Sequence, residues 1–263
     1  MNTAYETIIF EAVEAGIYQL TLNRPKQLNA LNATLLDEIQ AVVAALETRT
    51  DARVLLLTGA GDKAFAAGAD ISQMVDKGMV EGQSFGRKGQ RVFRRLETLP
   101  FPVIAVVNGY ALGGGCELAM SCDWILASDK AQFGQPEVSL GVTPGFGGTQ
   151  RLTRLVGRGR SMEMMTTGVC IDAQTACDWG LANRIYPADE LMPAAVKMAQ
   201  TITKQAPYAV AMCKQVIHRG EDLELETACV MEEQVFGLCF GTEDKKEGMS
   251  AFVEKRKAVF KGC

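Results

Sequence analysis

The sequence contains almost no histidine and no closely spaced pair of cysteines. One residue of 263 is His (His218), and none of the eight cysteines forms a C-x-x-C pair. A zinc site needs several Cys or His ligands at short spacing, so we expect no metal site. A single His likewise gives little support to a Ser-His-Asp or Cys-His nucleophile. We interpret the cysteines as reduced thiols of a cytoplasmic protein, because disulfides persist mainly in oxidising compartments.

Long apolar runs and an excess of basic residues are also missing. No apolar run approaches the ~20 residues of a membrane-spanning helix. The N-terminal stretch MNTAYETIIFEAVEAG (1–16) carries acids and no basic region, so it is predicted to be neither a signal peptide nor a transit peptide. The net charge of −4 argues against nucleic acid or an anionic membrane as the main partner. We therefore expect a soluble protein with no nucleic-acid or membrane partner.

Hydrophobic patterning predicts an α/β core in the first part of the chain. Three short apolar runs are typical of buried strands, namely RVLLLTG (53–59), FPVIAVVNG (101–109) and WILAS (124–128). A hairpin is predicted over 7–23, and helices are predicted over 32–48, with Asn32 as N-cap, and over 86–98. Strands that alternate with helices indicate βαβ units with parallel pairing.

From residue 188 onward the pattern becomes wholly helical. Helices are predicted over 188–205, 207–219, 222–239 and 243–258. We therefore divide the chain into an α/β core, 1–187, which carries the site, and a helical C-terminal region, 188–263, which serves docking or oligomerisation.

Three loops rich in small residues follow predicted strands. They are KAFAAGADI (63–71), NGYALGGGCE (108–117) and PEVSLGVTPGFGGTQ (136–150). Ligands of open α/β sheets bind beyond the carboxyl ends of strands. Small residues let a ligand approach main-chain N–H groups, as an oxyanion hole requires. Any one of these loops could simply make a tight turn, but three together, two of them with a glutamate, favour a ligand site.

Two glutamates belong to these loops. Glu117 opens a predicted helix inside an apolar run, and Glu137 follows Pro136 in a loop. Each has a simpler interpretation, Glu117 as an acid that complements a helix dipole and Glu137 as a solvated loop charge. If both face one apolar pocket, desolvation and mutual repulsion raise at least one pKa, which provides a proton donor and a base at neutral pH. Such a pair suits the addition or removal of water beside a carbonyl.

Signatures of nucleotide binding are weak. The chain has no G-x-x-x-x-G-K-[ST] motif, and GFGGTQR (145–151) does not fit G-x-G-x-x-G. A basic helical stretch follows, with Arg151, Arg154, Arg158 and Arg160. We interpret it as a solvated face or a subunit contact.

The chain resembles the crotonase superfamily, and within it the enoyl-CoA hydratases, in several long motifs that occur in the same order. These motifs are LNRPKQLNAL (22–31), KAFAAGADI (63–71), NGYALGGGCELAMSCD (108–123), FGQPEVSLGVTPGFGGTQRL (133–152) and EGMSAFVEKRK (247–257). The resemblance implies an α/β fold built as a spiral of ββα units with a helical C-terminal region. It implies assembly as a homotrimer or a homohexamer, a dimer of trimers. The implied reaction is hydration of trans-2-enoyl-CoA thioesters to 3-hydroxyacyl-CoA, with short-chain substrates such as crotonyl-CoA.

The resemblance also implies roles for individual residues. The backbone N–H groups of Ala69 and Gly114 would bind the thioester oxygen, and Gly145 would help to position the water or the acyl end. Glu137 would deliver a proton to the α-carbon. Glu117 would help to activate the water that attacks the β-carbon.

Coenzyme A is part of the substrate in this family, so the resemblance implies no separate cofactor. The CoA moiety would lie along Lys26, Ala67, Ala69, Ile71, Phe252 and Lys255. The last two, in the C-terminal region, would contribute within one subunit or from a neighbouring one. The chain departs from the family at Ser72, where many hydratases carry a Lys that holds the nucleotide end of CoA. Lys63 or Lys255 could take that part.

Two other functions are compatible with this scaffold. Δ3,Δ2-enoyl-CoA isomerases and decarboxylases share the fold and the oxyanion hole but often lack one of the two acids, so the presence of both Glu117 and Glu137 favours hydration. An RNA-binding protein on the same scaffold would use the Arg151–Arg160 stretch, but the acidic net charge argues against it.

Overall fold

A six-stranded sheet forms the centre of the computed structural model, which describes residues 5–263. Residues 1–4, the start of the N-terminal stretch considered above, lie outside the described part. The strands of this first sheet are β1 (Ile8–Glu14), β2 (Ile17–Leu22), β3 (Val54–Gly59), β5 (Val103–Val107), β7 (Trp124–Ser128) and β10 (Arg184–Tyr186), in the order β1-β2-β3-β5-β7-β10. The β1–β2 hairpin is antiparallel and all other pairs are parallel. The predicted hairpin, buried strands and parallel pairing are therefore confirmed.

A second, four-stranded sheet runs beside the first. It contains β4 (Ala64–Ala67), β6 (Tyr110–Leu112), β8 (Gln132–Gly134) and β9 (Cys170–Asp172), with the last pair antiparallel. Each of β4, β6 and β8 follows a strand of the first sheet within a few residues. The sequence interpretation as loops was wrong for β4 and β6, because three or four residues are too short to show strand periodicity.

Helices cover both faces of the first sheet. The first is α1 (Ala33–Leu46), capped as predicted by Asn32, whose Oδ1 accepts a hydrogen bond from the Leu35 amide at 2.8 Å. The helices that follow are α2 (Met79–Glu97), α3 (Gly114–Met120), α4 (Gly148–Val156), α5 (Arg158–Thr167), α6 (Ala173–Asp178), α7 (Leu191–Ile202), α8 (Pro207–Gly220), α9 (Leu225–Cys239) and α10 (Glu243–Val253). Short 3₁₀ turns occupy Pro25–Gln27, Ile71–Gln73 and Pro136–Leu140.

Two helix boundaries differ from the sequence prediction by five residues or more. Helix α2 begins at Met79 rather than 86. The sequence pattern did not predict its first turns, because they are exposed and have no apolar stripe. Its start is fixed instead by the Glu81 carboxylate, which accepts a hydrogen bond from the Gly78 amide at 2.8 Å. Helix α10 ends at Val253 rather than 258, two residues before Lys255, which has a positive φ of 55°.

The alternating side chains of the central strands divide the core into two layers. Leu55 and Leu57 of β3 pack in the larger cluster with α1 and α2, whereas Val54 and Leu56 pack in a smaller one with α7. Strands buried on both faces read as continuous apolar runs, as the sequence of β3 does. Helix α7 therefore completes the second face of the sheet. The division of the chain at residues 187/188 remains a prediction.

A buried ion pair fixes α8 to the core. Lys214 donates to the carbonyl of Phe101 at 2.9 Å and to Asp123 Oδ2 at 2.7 Å. Asp123 also accepts a hydrogen bond from the Val103 amide at 2.6 Å and lies 2.8 Å from His218 Nε2. The single histidine of the chain thus belongs to a structural cluster. No helix within residues 5–263 is long and apolar enough to cross a bilayer.

Loss of Asp123 should destabilise the fold. In Asp123→Ala the Lys214 ammonium stays buried without its counter-charge, and we expect a loss of about 3–5 kcal/mol in the free energy of unfolding. Urea titration followed by circular dichroism measures it. The control is Asp222→Ala, which removes the exposed pair with Arg154 (3.1 Å) and should cost no more than about 1 kcal/mol. Equal effects of the two variants would contradict the assignment.

Candidate active site

One cavity of about 790 Å³ brings the three loops rich in small residues together. Ala69 of the first loop lines it, as do Gly114 and Glu117 of the second and Glu137 and Gly145 of the third. The loops meet because each follows a strand of one of two adjoining sheets. All five residues proposed for catalysis on the basis of the sequence therefore lie on one cavity wall.

Two backbone amides on this wall are available to a ligand. The Leu31 amide donates to the carbonyl of Gly68 and the Asp70 amide donates to the carbonyl of Leu31, a pairing that leaves out the N–H of Ala69. Gly114 is the first residue of α3, so its N–H has no partner within the helix. Neither amide donates a hydrogen bond to another group within residues 5–263. Two such donors on a shared cavity wall are what a carbonyl oxygen that gains negative charge requires.

Glycine is required at the start of α3 for steric reasons. Gly113 has a φ of +48°, and a Cβ there would lie 2.9 Å from Glu137 Oε1. A Cβ on Gly115 would lie 1.9 Å from the carbonyl oxygen of Ala66 in β4. The glycines thus let α3 approach β4 and let the Glu137 carboxyl group lie beside the turn that carries the Gly114 amide.

Glu117 is held at the base of the cavity by backbone donors. It is 1% exposed, and its Oε1 accepts hydrogen bonds from the amides of Phe146 at 2.8 Å and Gly148 at 2.6 Å. Burial raises the pKa of Glu117, while these amides and the charge of Arg151 act in the opposite direction. The donors favour the ionised form, so this carboxylate is arranged as a base.

Glu137 has a different environment. It lies in the 3₁₀ turn Pro136–Leu140, and its buried Oε2 has no hydrogen-bond partner within residues 5–263. Burial, with a further contribution from the charge of Glu117, raises the pKa of Glu137 to about 7. This carboxyl group can therefore carry a proton at neutral pH.

The residues proposed for CoA contacts are only partly brought together. Ala67, Ala69 and Ile71 line the cavity, whereas Lys26, Phe252 and Lys255 do not line it within one chain. Phe252 is 86% exposed on α10. The position at which many hydratases have Lys holds Ser72, which donates to Asp70 Oδ1 at 2.6 Å. Asp70 in turn pairs with Arg24 at 2.8 Å, so Ser72 helps to order the rim of the cavity.

Sequence reasoning missed three contributors to this site. It did not identify the amides of Phe146 and Gly148 as partners of Glu117, because backbone donors carry no residue signature. It interpreted Arg151 only as part of a basic face, although its guanidinium contacts the carbonyl of Phe146 at 2.8 Å. The one available signal was the spacing of Arg151 from the glycine run GFGG (145–148), which places it one helical turn after the loop.

Two carboxyl groups in different environments and two free amides on one cavity define a class of enzyme that performs acid–base chemistry beside a carbonyl group. The pattern of the enoyl-CoA hydratase/isomerase family matches residues 12–263. The chain belongs to this family.

Individual relatives agree with this family membership. The chain is 52% identical to a short-chain-enoyl-CoA hydratase of Clostridium acetobutylicum, over 93% of this chain and 94% of the relative. It is 49% identical to a crotonyl-CoA hydratase of Syntrophomonas wolfei subsp. wolfei, over 98% of both chains. The crystal structure of an enoyl-CoA hydratase from Bacillus anthracis superposes with a TM-score of 0.95 at 38% identity, covering 98% of this chain and 100% of that one. The predicted crotonase-like α/β fold with a helical C-terminal region is confirmed.

The raised pKa of Glu137 predicts a pH-dependent stability. The folded protein binds this proton more tightly than an unfolded chain with a pKa of 4.5, so its contribution to stability is complete below 4.5 and is lost as the pH rises through about 7. Glu137→Gln should therefore raise the melting temperature at pH 8 relative to wild type, and much less so at pH 5. Differential scanning fluorimetry at both pH values measures this.

The matched control is Glu163→Gln, which alters an exposed glutamate on α5. Its melting temperature should differ from wild type by the same small amount at both pH values. A Glu137→Gln variant that behaves like this control would show that Glu137 is not desolvated.

Proposed function

We propose that the protein catalyses the reversible addition of water across the 2,3 double bond of trans-2-enoyl-CoA thioesters to give 3-hydroxyacyl-CoA. The observation that carries the proposal is the pairing of Glu117, held by two amides, with Glu137, whose pKa is about 7, on one cavity. Coenzyme A enters as part of the substrate, and no separate cofactor is required. The eight cysteines are free thiols, which supports a cytoplasmic place of action.

In the proposed reaction the two acids act on opposite ends of the double bond. The Glu117 carboxylate accepts a proton from water, and the water oxygen forms a bond to the β-carbon. The π electrons of the double bond move toward the thioester carbonyl, and the α-carbon then takes a proton from Glu137. One water is consumed, and transfer of the proton from Glu117 to Glu137, through solvent, restores the starting state.

The thioester oxygen gains negative charge in this step. In the proposed pose the N–H groups of Ala69 and Gly114 donate to it, and Gly145 contributes to the wall that places the water or the acyl end. Fixed donors of this kind stabilise the developing charge without reorganising during the reaction.

Short acyl chains are the proposed substrates. Support comes from the two relatives at 52% and 49% identity, which are named for short-chain-enoyl-CoA and crotonyl-CoA hydration. The CoA moiety would lie along Lys26, Ala67, Ala69 and Ile71 at the rim. Since Phe252 and Lys255 do not line the cavity of their own chain, we propose that they reach the CoA of a neighbouring subunit.

A trimer or a dimer of trimers is the proposed assembly. Helix α9 has no buried residue in the single chain, and it exposes large apolar side chains such as Phe236 (64%) and Leu238 (59%). Contiguous exposed apolar surface of this kind marks a protein interface.

The reaction is tested by the loss of conjugated-enoyl absorbance when the purified protein meets crotonyl-CoA. Wild type should hydrate it rapidly. Glu117→Gln and Glu137→Gln should each lower kcat by about 10²–10⁴-fold, because each removes a general acid or base. Glu163→Gln should retain wild-type kcat. Near-full activity in either active-site variant would contradict the role assigned to that residue.

The same assay separates hydration from isomerisation. A 3-enoyl-CoA substrate that is converted to 2-enoyl-CoA while crotonyl-CoA stays unchanged would replace the hydratase proposal by an isomerase. The basic stretch offers little support for RNA binding, since Arg151 pairs with Glu97 and Arg154 with Asp222.

The assembly is tested by sedimentation. Wild type should sediment at three or six times the protomer mass of 28.4 kDa. Phe236→Asp should dissociate it, because a charge cannot be buried unpaired in an apolar contact. Glu232→Gln, a polar change on the same helix, should leave the mass unchanged. A monomeric wild type would exclude the proposed assembly.

A further inference from the structure

Arg151 connects the end of α2 to the loop that holds Glu117. Its Nε donates to Glu97 Oε1, and its Nη1 donates to the carbonyl oxygen of Phe146 at 2.8 Å. Phe146 is the residue whose amide donates to Glu117 at 2.8 Å. A continuous chain of contacts therefore runs from Glu97 through Arg151 and Phe146 to the Glu117 carboxylate.

Low solvent exposure and the lack of a side chain at Gly147 allow Arg151 to make this contact. The Glu97 side chain is 10% exposed and that of Arg151 18% exposed, so the pair is shielded far more than a surface ion pair. Gly147 has a φ of +110°, and a Cβ at this residue would lie 2.2 Å from Arg151 Nη1. Only glycine at 147 leaves room for the guanidinium to reach the carbonyl.

The peptide between Phe146 and Gly147 links the Arg151 contact to Glu117. In a trans peptide the C=O and N–H groups point in opposite directions. When Arg151 holds the Phe146 carbonyl, it also fixes the direction of the Gly147 N–H, which belongs to the same peptide and favours the ionised form of Glu117. The amides of Phe146 and Gly148 flank this peptide and bind Glu117 Oε1 directly.

We infer that Arg151, itself oriented by Glu97, is a positioning residue that fixes the Phe146–Gly148 segment around the Glu117 carboxylate. The inference rests on the proposed function of Glu117 as the base of the hydration step. Arg151 does not itself line the cavity and forms no hydrogen bond with Glu117 or Glu137. Its contact with the site is the hydrogen bond to the carbonyl of Phe146, so it acts on Glu117 through the loop.

The charges that face Glu117 determine how its protonation should respond. Glu137 lines the same cavity, and the charge of Glu117 contributes to its raised pKa. The charge of Arg151, behind the loop, acts to lower the pKa of Glu117. Removal of the guanidinium withdraws a positive charge and loosens three donors at once. Both changes favour the protonated form of Glu117, so the acidic limb of the pH–rate profile should move to higher pH.

The first test is the kinetics of Arg151→Met with crotonyl-CoA. We expect kcat to fall on the order of 10²-fold, because a small displacement of a reacting group has that effect. The KM should stay near its wild-type value, since no substrate contact is removed. The acidic limb of the profile should shift upward in pH. Arg151→Lys keeps the charge but cannot form the two-armed contact, so it should lower kcat with a smaller pH shift.

Variants at Glu97 test the same chain of contacts independently. Glu97→Ala should lower kcat in the same sense as Arg151→Met. The double variant should be no slower than Arg151→Met alone, because residues that act as one unit do not give multiplicative losses. Glu97→Gln keeps an acceptor for Arg151 Nε and should recover most of the activity. Multiplicative losses in the double variant would overturn the inference.

The matched control is Arg154→Met, one turn further along α4. Arg154 pairs with the exposed Asp222 and its side chain is 49% exposed, so kcat and the pH profile should both stay at wild-type values. A folded Arg151→Met variant with unchanged kcat and an unchanged acidic limb would overturn the inference.

A measurement without substrate separates this inference from the proposed function. Hydrogen–deuterium exchange of peptides that span residues 144–150 should be faster in Arg151→Met than in wild type and unchanged in Arg154→Met. Faster exchange in a protein that does not hydrate crotonyl-CoA would support the positioning contact and reject the hydratase proposal. Unchanged exchange in an active enzyme would reject the positioning contact alone.

Discussion

The hydrogen bonding of the buried Glu117 carboxylate is the constraint on which the rest of the site depends. A carboxylate that is 1% exposed needs donors, because an unpaired buried charge is strongly unfavourable. Phe146 and Gly148 provide them at 2.8 and 2.6 Å. The chain between them must turn tightly, which it does at Gly147, and α4 must begin at the next residue. On the other side, the absence of a side chain at Gly115 brings α3 and its glutamate against β4. The glycines of two separate loops thus serve a single carboxylate.

Glu117 and Glu137 have the same side chain but different hydrogen-bond partners, and this difference separates their proposed roles. Glu117 has backbone donors and a nearby guanidinium, which oppose the effect of burial on its pKa. Glu137 has a buried oxygen without a partner, and its pKa rises to about 7. Each group also responds to the other, because an ionised Glu117 makes ionisation of Glu137 harder. At neutral pH Glu137 can therefore carry a proton, while the backbone donors favour the ionised form of Glu117. A reaction that takes a proton from water and gives one to carbon needs this state at its start.

Much of this arrangement could be predicted from local sequence, and the remainder depends on contacts between distant segments. Continuous apolar runs revealed β3, β5 and β7, and the loops that follow them do share a cavity. The second sheet was missed because its strands have three or four residues, which are stabilised by neighbours rather than by their own pattern. The early start of α2 was missed because its first turns are exposed and therefore carry no apolar periodicity. The proposed role of Arg151 depends on Glu97, 54 positions away, and on a backbone carbonyl. Neither contact can be predicted from residue spacing.

The C-terminal helices differ in how much of their surface the single chain buries. Helix α7 covers the second face of the central sheet, and α8 is fixed through Lys214 to Asp123. Helix α9 buries no residue, and α10 leaves Phe252 86% exposed. Exposed apolar surface is unfavourable in water, which supports the proposal that a second chain covers α9 and the exposed side of α10. Because α10 also carries a side chain proposed to contact CoA, assembly and substrate binding would use the same segment. In that arrangement a complete CoA site exists only in the oligomer, whereas the two acids and their supporting loop are already complete in one chain.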